Sequence, residues 1–215
     1  MRIFLVTLFP NALKSYFDTS IIRKAVESHA IEIKVCNIAD YSTKNTRRSD
    51  DRPYGGMAGT ILAPEPCARA IDYCQSCIST PIHWICPDPR GEIVNQHQFL
   101  ELSQIENLGI LCGHYEGIDE RIFEAYSIQK ISLGNFILTG GEIAAGVIID
   151  GITRLIPGVL SEHSLNEESF SNALRGKKEY PHYTRPEIWR DISVPHELLS
   201  GNPKIIDTWK QNNIL

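Results

Sequence analysis

The sequence lacks the uninterrupted apolar run of about 20 residues that a membrane-spanning helix requires. Its longest apolar stretch, Ile143 to Ile156, contains Asp150 and Arg154. The short apolar segment at the N-terminus stops at Pro10 and has no Ala-x-Ala-like cleavage site after it, so it is interpreted as a first strand and not as a signal peptide. We therefore expect no membrane partner and a cytoplasmic location.

Positive charge is scarce as well. The chain has 21 Lys and Arg residues against 26 Asp and Glu residues, a net charge of −5. A global cationic field for nucleic acid is therefore excluded, and any such contact must be local. One local excess exists, and its members are Arg175, Lys177, Lys178, Arg185 and Arg190, with Tyr180, Tyr183 and Trp189 among them. Cations contact phosphates and aromatic rings stack on unpaired bases, so the segment is either an RNA contact or an ordinary solvated face.

The six cysteines lack the arrangement that a zinc site usually has. Cys74 and Cys77 have the CxxC spacing, but no second pair or paired histidines stand at a defined distance from them. Reduced thiols buried in the core are the favoured interpretation, with metal binding and redox activity as the alternatives. We predict no metal ligands among the site residues.

The nucleotide-binding signatures G-x-G-x-x-G and G-x-x-x-x-G-K-[ST] are also missing, which counts against a dinucleotide enzyme or a phosphate-binding hydrolase. What the chain does have is an alternation of strand and helix patterns, which predicts an α/β fold with a mainly parallel sheet. The predicted strands are Arg2–Leu8, Ile31–Asn37, His83–Cys86, Leu108–Cys112 and Ser127–Leu133. The predicted helices are Asn11–Ala30 with a break at Asp18–Ser20, Pro64–Ser76, Gln96–Ile105, Gly117–Tyr126 and Glu142–Ile156.

Three glycine-containing segments stand where predicted strands end: Pro87–Gly91, Gly113–Gly117 and Leu133–Gly141. Open parallel sheets bind ligands outside the carboxyl ends of their strands. A long loop, Asp40–Thr60, is of the kind that is usually functional or disordered. The expected organisation is a domain at 1–160, a flexible linker at 161–174 and a small helical domain at 175–215, with helices at Pro195–Leu199 and Pro203–Asn212.

Several longer motifs carry a resemblance. They are the segments 50–56 (DDRPYGG), 112–121 (CGHYEGIDER), 133–142 (LGNFILTGGE), 154–160 (RLIPGVL), 181–186 (PHYTRP) and 198–202 (LLSGN). Together, and in this order, they closely resemble the bacterial tRNA (guanine-N1)-methyltransferase family, TrmD, of the SPOUT superfamily. The resemblance implies a trefoil knot in the α/β domain, a homodimer with its active site between subunits, and tRNA as the substrate. It also implies S-adenosylmethionine as the cofactor, with S-adenosylhomocysteine as the product.

The residues that the resemblance assigns to the cofactor lie in the three strand-end segments. They are Pro87, Pro89, Gly91, Gly113, Tyr115, Glu116, Ser132, Leu133, Gly134, Phe136, Leu138, Gly140 and Gly141. It assigns Asp50, Tyr54, Glu179 and His182 to the substrate. For Asp50 the alternative is a salt bridge within the loop, to Arg47 or Arg48.

The chemistry of the reaction can be argued separately. A sulfonium methyl group needs no metal to be electrophilic, but guanine N1 carries a proton that a carboxylate base must take. An arginine near O6 would stabilise the charge that develops there. By resemblance the arginine is Arg154 and the base is Glu168, where the family has an aspartate; Glu167 is the alternative base. The resemblance also allows an assisting Mg²⁺, although no magnesium site follows from the spacing.

Two further functions stay open. A different SPOUT enzyme would methylate ribose or ribosomal RNA. A non-catalytic RNA- or nucleotide-binding protein would keep the fold without turnover.

Overall fold

The computed structural model describes residues 1–166 and 168–215, and these form two compact units, Met1–Val159 and Leu160–Leu215. The first unit alternates strands and helices. Its elements are β1 (Arg2–Thr7), α1 (Lys14–Phe17), α2 (Ser20–Glu27), β2 (Glu32–Asn37), a 3₁₀ turn (Ile38–Tyr41), β3 (Asp50–Asp51), β4 (Ile61–Leu62), α3 (Pro64–Ser76), β5 (His83–Ile93), α4 (Gln96–Ser103), β6 (Asn107–Leu111), α5 (Arg121–Tyr126), β7 (Gln129–Ser132) and α6 (Gly141–Thr153).

The main sheet has the strand order β2-β1-β6-β5-β7, and every pairing in it is parallel. β1 and β6 are interior strands and are almost wholly buried. Continuous apolar strands are typical of parallel sheets that are covered on both faces. The predicted α/β class with a parallel sheet is therefore confirmed.

A core lies on each face of the sheet. Side chains alternate along β1, so Ile3 and Leu5 join one core while Phe4 and Val6 join the other. Helix α6 covers the first core and helix α3 covers the second. Cys67, on α3, is fully buried, and burial raises the pKa of its thiol to about 12. Such a thiol is protonated at neutral pH and packs as a small apolar group.

Strand β5 differs from the prediction. The sequence placed its end at Cys86, but the strand continues to Ile93, and that prediction is wrong. Pro87 and Glu92 both pair with Ile131 of β7, so the four residues between them bulge out of the sheet. A proline removes one donor from the ladder without stopping it when the chain can leave and rejoin the partner strand.

The structure also differs from the sequence prediction at other element boundaries. Helix α5 begins at Arg121 and not at Gly117, because Gly117 has a φ of +129° and the Asp119 carboxylate caps the Arg121 N–H at 3.1 Å. The long loop contains the two-residue strand β3, which pairs antiparallel with β4.

The second unit comprises α7 (Glu162–Asn166), β8 (Ile188–Trp189), β9 (Ile192–Ser193), α8 (His196–Leu199) and α9 (Pro203–Asn212). The predicted helix Pro203–Asn212 is confirmed. Two features were not predicted: the helix α7, inside the segment expected to be a linker, and the β8–β9 hairpin, inside the part expected to be helical. In the described part of the chain, no helix has both the length and the apolar character to cross a membrane.

Candidate functional site

A cavity of about 650 Å³ opens at the β5 bulge and at the carboxyl ends of β6 and β7. This is within the usual size range of small-molecule sites. Its walls come from the three strand-end segments singled out in the sequence, together with residues of the long loop Asp40–Thr60 and the start of α6. A second hollow of about 520 Å³ lies at the opposite, amino ends of β1 and β2, around Met1, His29 and Glu106. Ligands of open parallel sheets bind at carboxyl ends, so the first cavity is the candidate site.

The cavity brings together all but one of the residues assigned to the cofactor. Those lining it are Pro87, Pro89, Gly113, Tyr115, Glu116, Ser132, Leu133, Gly134, Phe136, Leu138, Gly140 and Gly141. Gly91 is the exception, because it lies where the β5 bulge rejoins the sheet. A Cβ added there would be 2.4 Å from the backbone nitrogen of Ile131. The placement of Gly91 indicates a role in close backbone packing, separate from ligand contact.

The cavity combines apolar walls with backbone that a flat ligand can approach. Phe136, Ile137 and Leu138 form an exposed apolar loop on one side. Tyr115 has a φ of +60°, an uncommon conformation for a residue with a side chain. Backbone in this region often marks a functional site.

Sequence reasoning missed a charged rim on this cavity. Arg90 donates through Nε and Nη2 to the Asp88 carboxylate at 3.1 and 2.8 Å, and its Nη1 lies 3.2 Å from Glu120 Oε2. The other oxygen of Glu120 pairs with Lys130 of β7. Burial raises the pKa of Asp88, but the hydrogen bonds and charge of Arg90 outweigh it and leave the pKa lowered. The signal available in the sequence was the i, i+2 spacing of Asp88 and Arg90 in a strand-end segment.

A second missed feature is a buried polar contact behind the wall. The Thr7 hydroxyl, at the end of β1, donates to Glu142 Oε1 at 2.6 Å. Glu142 Oε2 lies 3.9 Å from His114 Nδ1. A Cβ on Gly140 would be 2.6 Å from both of these atoms. A larger residue at position 140 would therefore require the Glu142 or the His114 side chain to shift.

The cysteines near the site are not activated as nucleophiles. Cys86 lines the cavity and Cys112 lies directly before Gly113. Burial raises the pKa of both thiols. A thiolate is the reactive form, so covalent catalysis by either residue is disfavoured.

The long loop Asp40–Thr60 contributes Pro53 and Met57 to the cavity. Asp50 is buried at the base of the loop and accepts from Arg48 Nε and Nη2 at 3.1 and 3.3 Å. The alternative predicted for Asp50, a salt bridge within the loop, is therefore present. Burial raises the pKa of Asp50, but hydrogen bonds from Arg48 and Thr60 lower it by more. Tyr54, in contrast, is 97% exposed.

Arg154 lies at the C-terminal cap of α6, half-buried, and its backbone N–H donates to Asp150 O at 3.2 Å. The helix that forms one wall of the cavity thus ends at the arginine assigned to catalysis.

The second unit holds the remaining assigned residues. Glu168 is half-buried, and the alternative base, Glu167, lies outside the described residues. Ser169 Oγ accepts from the Glu179 N–H at 3.0 Å, and Glu179 Oε2 lies 2.9 Å from His182 Nε2. The structure therefore brings Glu179 and His182 together, beside the residue that follows Glu168.

The basic segment of this unit is exposed and is accompanied by aromatic rings. The side chains of Arg175, Lys177, Lys178, Arg185 and Arg190 all face solvent. The guanidinium of Arg190 lies 4.7 Å from the ring of Trp189. Trp209 contacts both Tyr180 and Tyr183, with ring centroids 6.2 and 6.1 Å apart.

The fold and the cavity define a parallel α/β ligand-binding protein whose site is built from glycine-rich loops at strand ends. The family model described as tRNA (Guanine-1)-methyltransferase TrmD matches residues 1–215. The chain therefore belongs to the TrmD family.

Curated relatives agree with this assignment. A tRNA (guanine-N(1)-)-methyltransferase of Caldanaerobacter subterraneus subsp. tengcongensis is 45% identical over 211 residues, covering 98% of this chain and 85% of that protein. One of Carboxydothermus hydrogenoformans is 46% identical over 216 residues, covering 100% and 83%. The crystal structure of tRNA (m1G37) methyltransferase from Aquifex aeolicus superposes with a TM-score of 0.81 at 38% identity, covering 98% of this chain and 87% of that one.

Proposed function

We propose that this protein transfers a methyl group from S-adenosylmethionine to N1 of guanosine 37 in tRNA. The observation that carries the proposal is the cavity at the β5 bulge and the ends of β6 and β7, which is lined by the three segments that the resemblance assigns to the cofactor. Membership of the family and the names of the relatives support the reaction class.

The residues present fit the cofactor. Its adenosine portion is flat and largely apolar, and it suits the loop of Phe136, Ile137 and Leu138 with the glycines beside it. The cofactor, when bound, supplies an electrophilic methyl group on a sulfonium. The chain has to hold that group in line with guanine N1 and exclude water from it.

A carboxylate of the protein has to remove the proton from guanine N1. We assign it to Glu168, which is half-buried beside the hydrogen-bonded group of Ser169, Glu179 and His182. Arg154 is assigned to charge stabilisation at O6. Asp50, Tyr54, Glu179 and His182 are assigned to the substrate. For Asp50 the proposed role is to hold the target base, and its ion pair with Arg48 fixes the carboxylate in place.

The tRNA contact is assigned to the 175–215 domain. Its exposed cations and its aromatic rings have the properties that phosphates and unpaired bases require. In the same proposal, residues 161–174 are the linker to this domain. The part given to Mg²⁺ rests on the family resemblance alone, because the described residues contain no group of three or more side chains that could hold a metal ion.

A homodimer is part of the proposal. Helix α6 buries most of its residues but exposes Ile143 and Val147, which are 61% and 47% accessible. Exposed apolar side chains next to a functional cavity favour a second subunit there. The superfamily's trefoil knot in the first unit is proposed on the same family grounds.

The test is methyl transfer from labelled S-adenosylmethionine to two tRNA transcripts, one with guanosine at position 37 and one with adenosine. Transfer to the first alone, located at N1 by nuclease digestion and mass spectrometry, is the expected result. Methyl found on ribose, or transfer to ribosomal RNA supplied in a parallel reaction, would favour the other SPOUT activity. Binding of cofactor and tRNA without any transfer would favour the non-catalytic protein.

The assignment of the base has its own test. Glu168→Gln keeps the size of the side chain and removes its basicity, so the methylation rate should fall by about 10²-fold or more. Glu168→Asp is the matched control, because it restores a carboxylate at a shorter reach. A near wild-type rate for Glu168→Gln would move the role to Glu167 or another carboxylate. Adding a chelator in the same assay tests the part assigned to Mg²⁺.

A further inference from the structure

Three cysteines cluster where helix α3 ends. Cys74 lies in the last turn of the helix, Cys77 is the residue that caps its C-terminus, and Cys36 comes from strand β2. The thiols of Cys36 and Cys74 are hydrogen-bonded to each other within the second core. The described residues that line the cavity include none of the three, so the proposed methyl transfer leaves this cluster without a role.

The CxxC pair has the spacing that a disulfide needs. Cys77 has helical backbone angles, with a φ of −75° and a ψ of −14°, so it stands one i, i+3 step after Cys74 on the helix. Such a step separates two Cα atoms by about 5 Å, and disulfides span Cα distances of about 4.4–6.8 Å. The two sulfurs can therefore be joined without a large movement of the backbone.

The two members of the pair differ in access to solvent. Cys77 is exposed, whereas Cys74 is only 2% exposed. Cys77 Sγ donates to the Tyr73 carbonyl oxygen at 3.4 Å, which holds its side chain against the helix. An accessible thiol with a second thiol beside it is typical of reversible oxidation sites, because the second thiol captures the sulfenic acid before it is oxidised further.

Cys36 supplies an acceptor for the proton of Cys74. The hydrogen bond with Cys74 lowers the pKa of the Cys36 thiol, burial raises it, and a hydrogen bond with Tyr41 lowers it, so that the pKa is lowered on balance. The contact with Cys36 and burial both raise the pKa of Cys74. Cys74 is therefore the donor in this pair, and it can pass its proton to the Cys36 sulfur when its own sulfur forms a new bond.

The cluster also stays accessible in the proposed dimer. Helix α3 packs on one core of the sheet and helix α6 on the core of the opposite face. The exposed side chains assigned to the subunit contact, Ile143 and Val147, belong to α6. A second subunit bound there covers the face of the sheet opposite to Cys77.

We propose that Cys77 and Cys74 form a reversible disulfide when the protein meets a hydroperoxide, with Cys36 taking the proton from Cys74. In the first step the Cys77 thiolate attacks a peroxide oxygen, the O–O bond breaks, and Cys77 becomes a sulfenic acid as hydroxide leaves. In the second step the Cys74 sulfur attacks the Cys77 sulfur, hydroxide leaves, and the Cys74 proton passes to Cys36.

The two steps balance. The two cysteine sulfurs are oxidised and hydrogen peroxide is reduced. The two hydroxides become water by taking up the two thiol protons, one of them through Cys36, so two thiols and one hydrogen peroxide give one disulfide and two waters. The inference does not depend on the proposed function, because it needs neither the cofactor nor tRNA.

The test is peptide mapping of the reduced full chain after treatment with hydrogen peroxide and alkylation of the remaining thiols. Trypsin cleaves after Arg69 and Arg90, and the peptide 70–90 contains Cys74, Cys77 and Cys86. We expect this peptide to lose two hydrogens and to carry an alkyl group on Cys86 alone. Dithiothreitol should restore alkylation of all its cysteines. A bridge from Cys36 would instead join it to the peptide 35–44, so the two products differ in mass.

Variants separate the roles of the three thiols. Cys77→Ser, a mild change at an exposed position, should abolish the loss of two hydrogens. Cys36→Ser keeps a hydrogen-bonding group without the basicity of a thiolate. It should slow disulfide formation by about tenfold or more, while sulfenic acid on Cys77, trapped with dimedone, accumulates. Cys67→Ala is the matched control, because it removes a fully buried thiol from the same helix and should change neither step.

Several results would overturn the inference. Oxidation of Cys77 to a sulfinic acid without any disulfide would show that Cys74 does not capture it. A bridge between Cys36 and Cys74 that forms equally fast in Cys77→Ser would show that oxidation does not enter at Cys77. An unchanged rate of disulfide formation in Cys36→Ser would refute its part as proton acceptor. If Cys36→Ser fails to fold, the rate in wild-type protein decides that part, since a proton acceptor of lowered pKa makes the second step faster than dimedone trapping at neutral pH.

Discussion

The buried contact between Thr7 and Glu142 makes a quantitative prediction about stability. Thr7 is fully buried, Glu142 is 7% exposed, and the hydroxyl donates to the carboxylate at 2.6 Å. The same hydroxyl accepts from the Phe9 N–H at 2.9 Å. Thr7→Val keeps the shape of the side chain and removes both hydrogen bonds, which leaves a buried carboxylate oxygen without its donor.

The magnitude follows from these contacts. A hydrogen bond to a charged group contributes about 1.5–3 kcal/mol, and the Phe9 N–H adds about 1 kcal/mol. Thr7→Val should therefore lower the free energy of unfolding by about 2.5–4 kcal/mol. In a chain of this size each kcal/mol lowers Tm by about 2–4 °C, so a fall of at least about 5 °C is expected. Urea and thermal unfolding followed by circular dichroism measure both quantities.

Thr7→Ser is the control, because it keeps the hydroxyl and loses only a buried methyl group, at a cost of about 1 kcal/mol. The reasoning requires Thr7→Val to be the more destabilised of the two variants. If Thr7→Ser instead loses as much stability as Thr7→Val, or more, then packing of the methyl group stabilises the fold at this position and the hydrogen bond to Glu142 does not.

Three further predictions concern other parts of the first unit. Gly91→Ala should destabilise the fold and weaken S-adenosylhomocysteine binding, since its Cβ would stand 2.4 Å from the Ile131 nitrogen; an unchanged Tm would show that the bulge can move aside. Asp50→Asn should lower the free energy of unfolding by about 1 kcal/mol at pH 7. The folded-state pKa of Asp50 is lowered, so the stabilisation by the ionised carboxylate is present above the ordinary carboxyl pKa of about 3.9. It is lost as the pH falls through the folded-state pKa. Urea titrations at pH 7 and pH 3 check the sign, and a larger difference from wild type at pH 3 would contradict the role of Arg48. Ile143→Glu should convert a dimer into a monomer of 24.2 kDa in sedimentation analysis, and a wild-type protein that is already monomeric would refute the proposed interface.

Much of the first unit could be predicted from local pattern. Apolar strands such as β1 and β6 and the helix at Pro64–Ser76 follow from periodicity, because burial on one or both faces repeats along the chain at a fixed interval. The three strand-end segments were recognisable as a candidate site because carboxyl ends of parallel strands meet at one edge. Family motifs then predicted their ligand class.

Tertiary structure alone decided how these segments meet. Thr7 and Glu142 are 135 positions apart, and no local pattern connects them. The β5 bulge exists because Pro87 and Glu92 share the partner Ile131, and Gly91 is required there by the backbone of a different strand. Arg90, in the β5 bulge, and Glu120, directly before α5, also become neighbours only in the folded chain.

The sequence by itself therefore determined the class of fold, the family and the segments that form the cavity, since these depend on periodicity and on short motifs that are read along the chain. Distances between segments remote in sequence decide three features: the ion pairs at the rim of the cavity, the packing of Gly91, and the hydrogen bond between Thr7 and Glu142. Those distances are set by the order and register of the parallel sheet, and for this reason only the folded structure shows them.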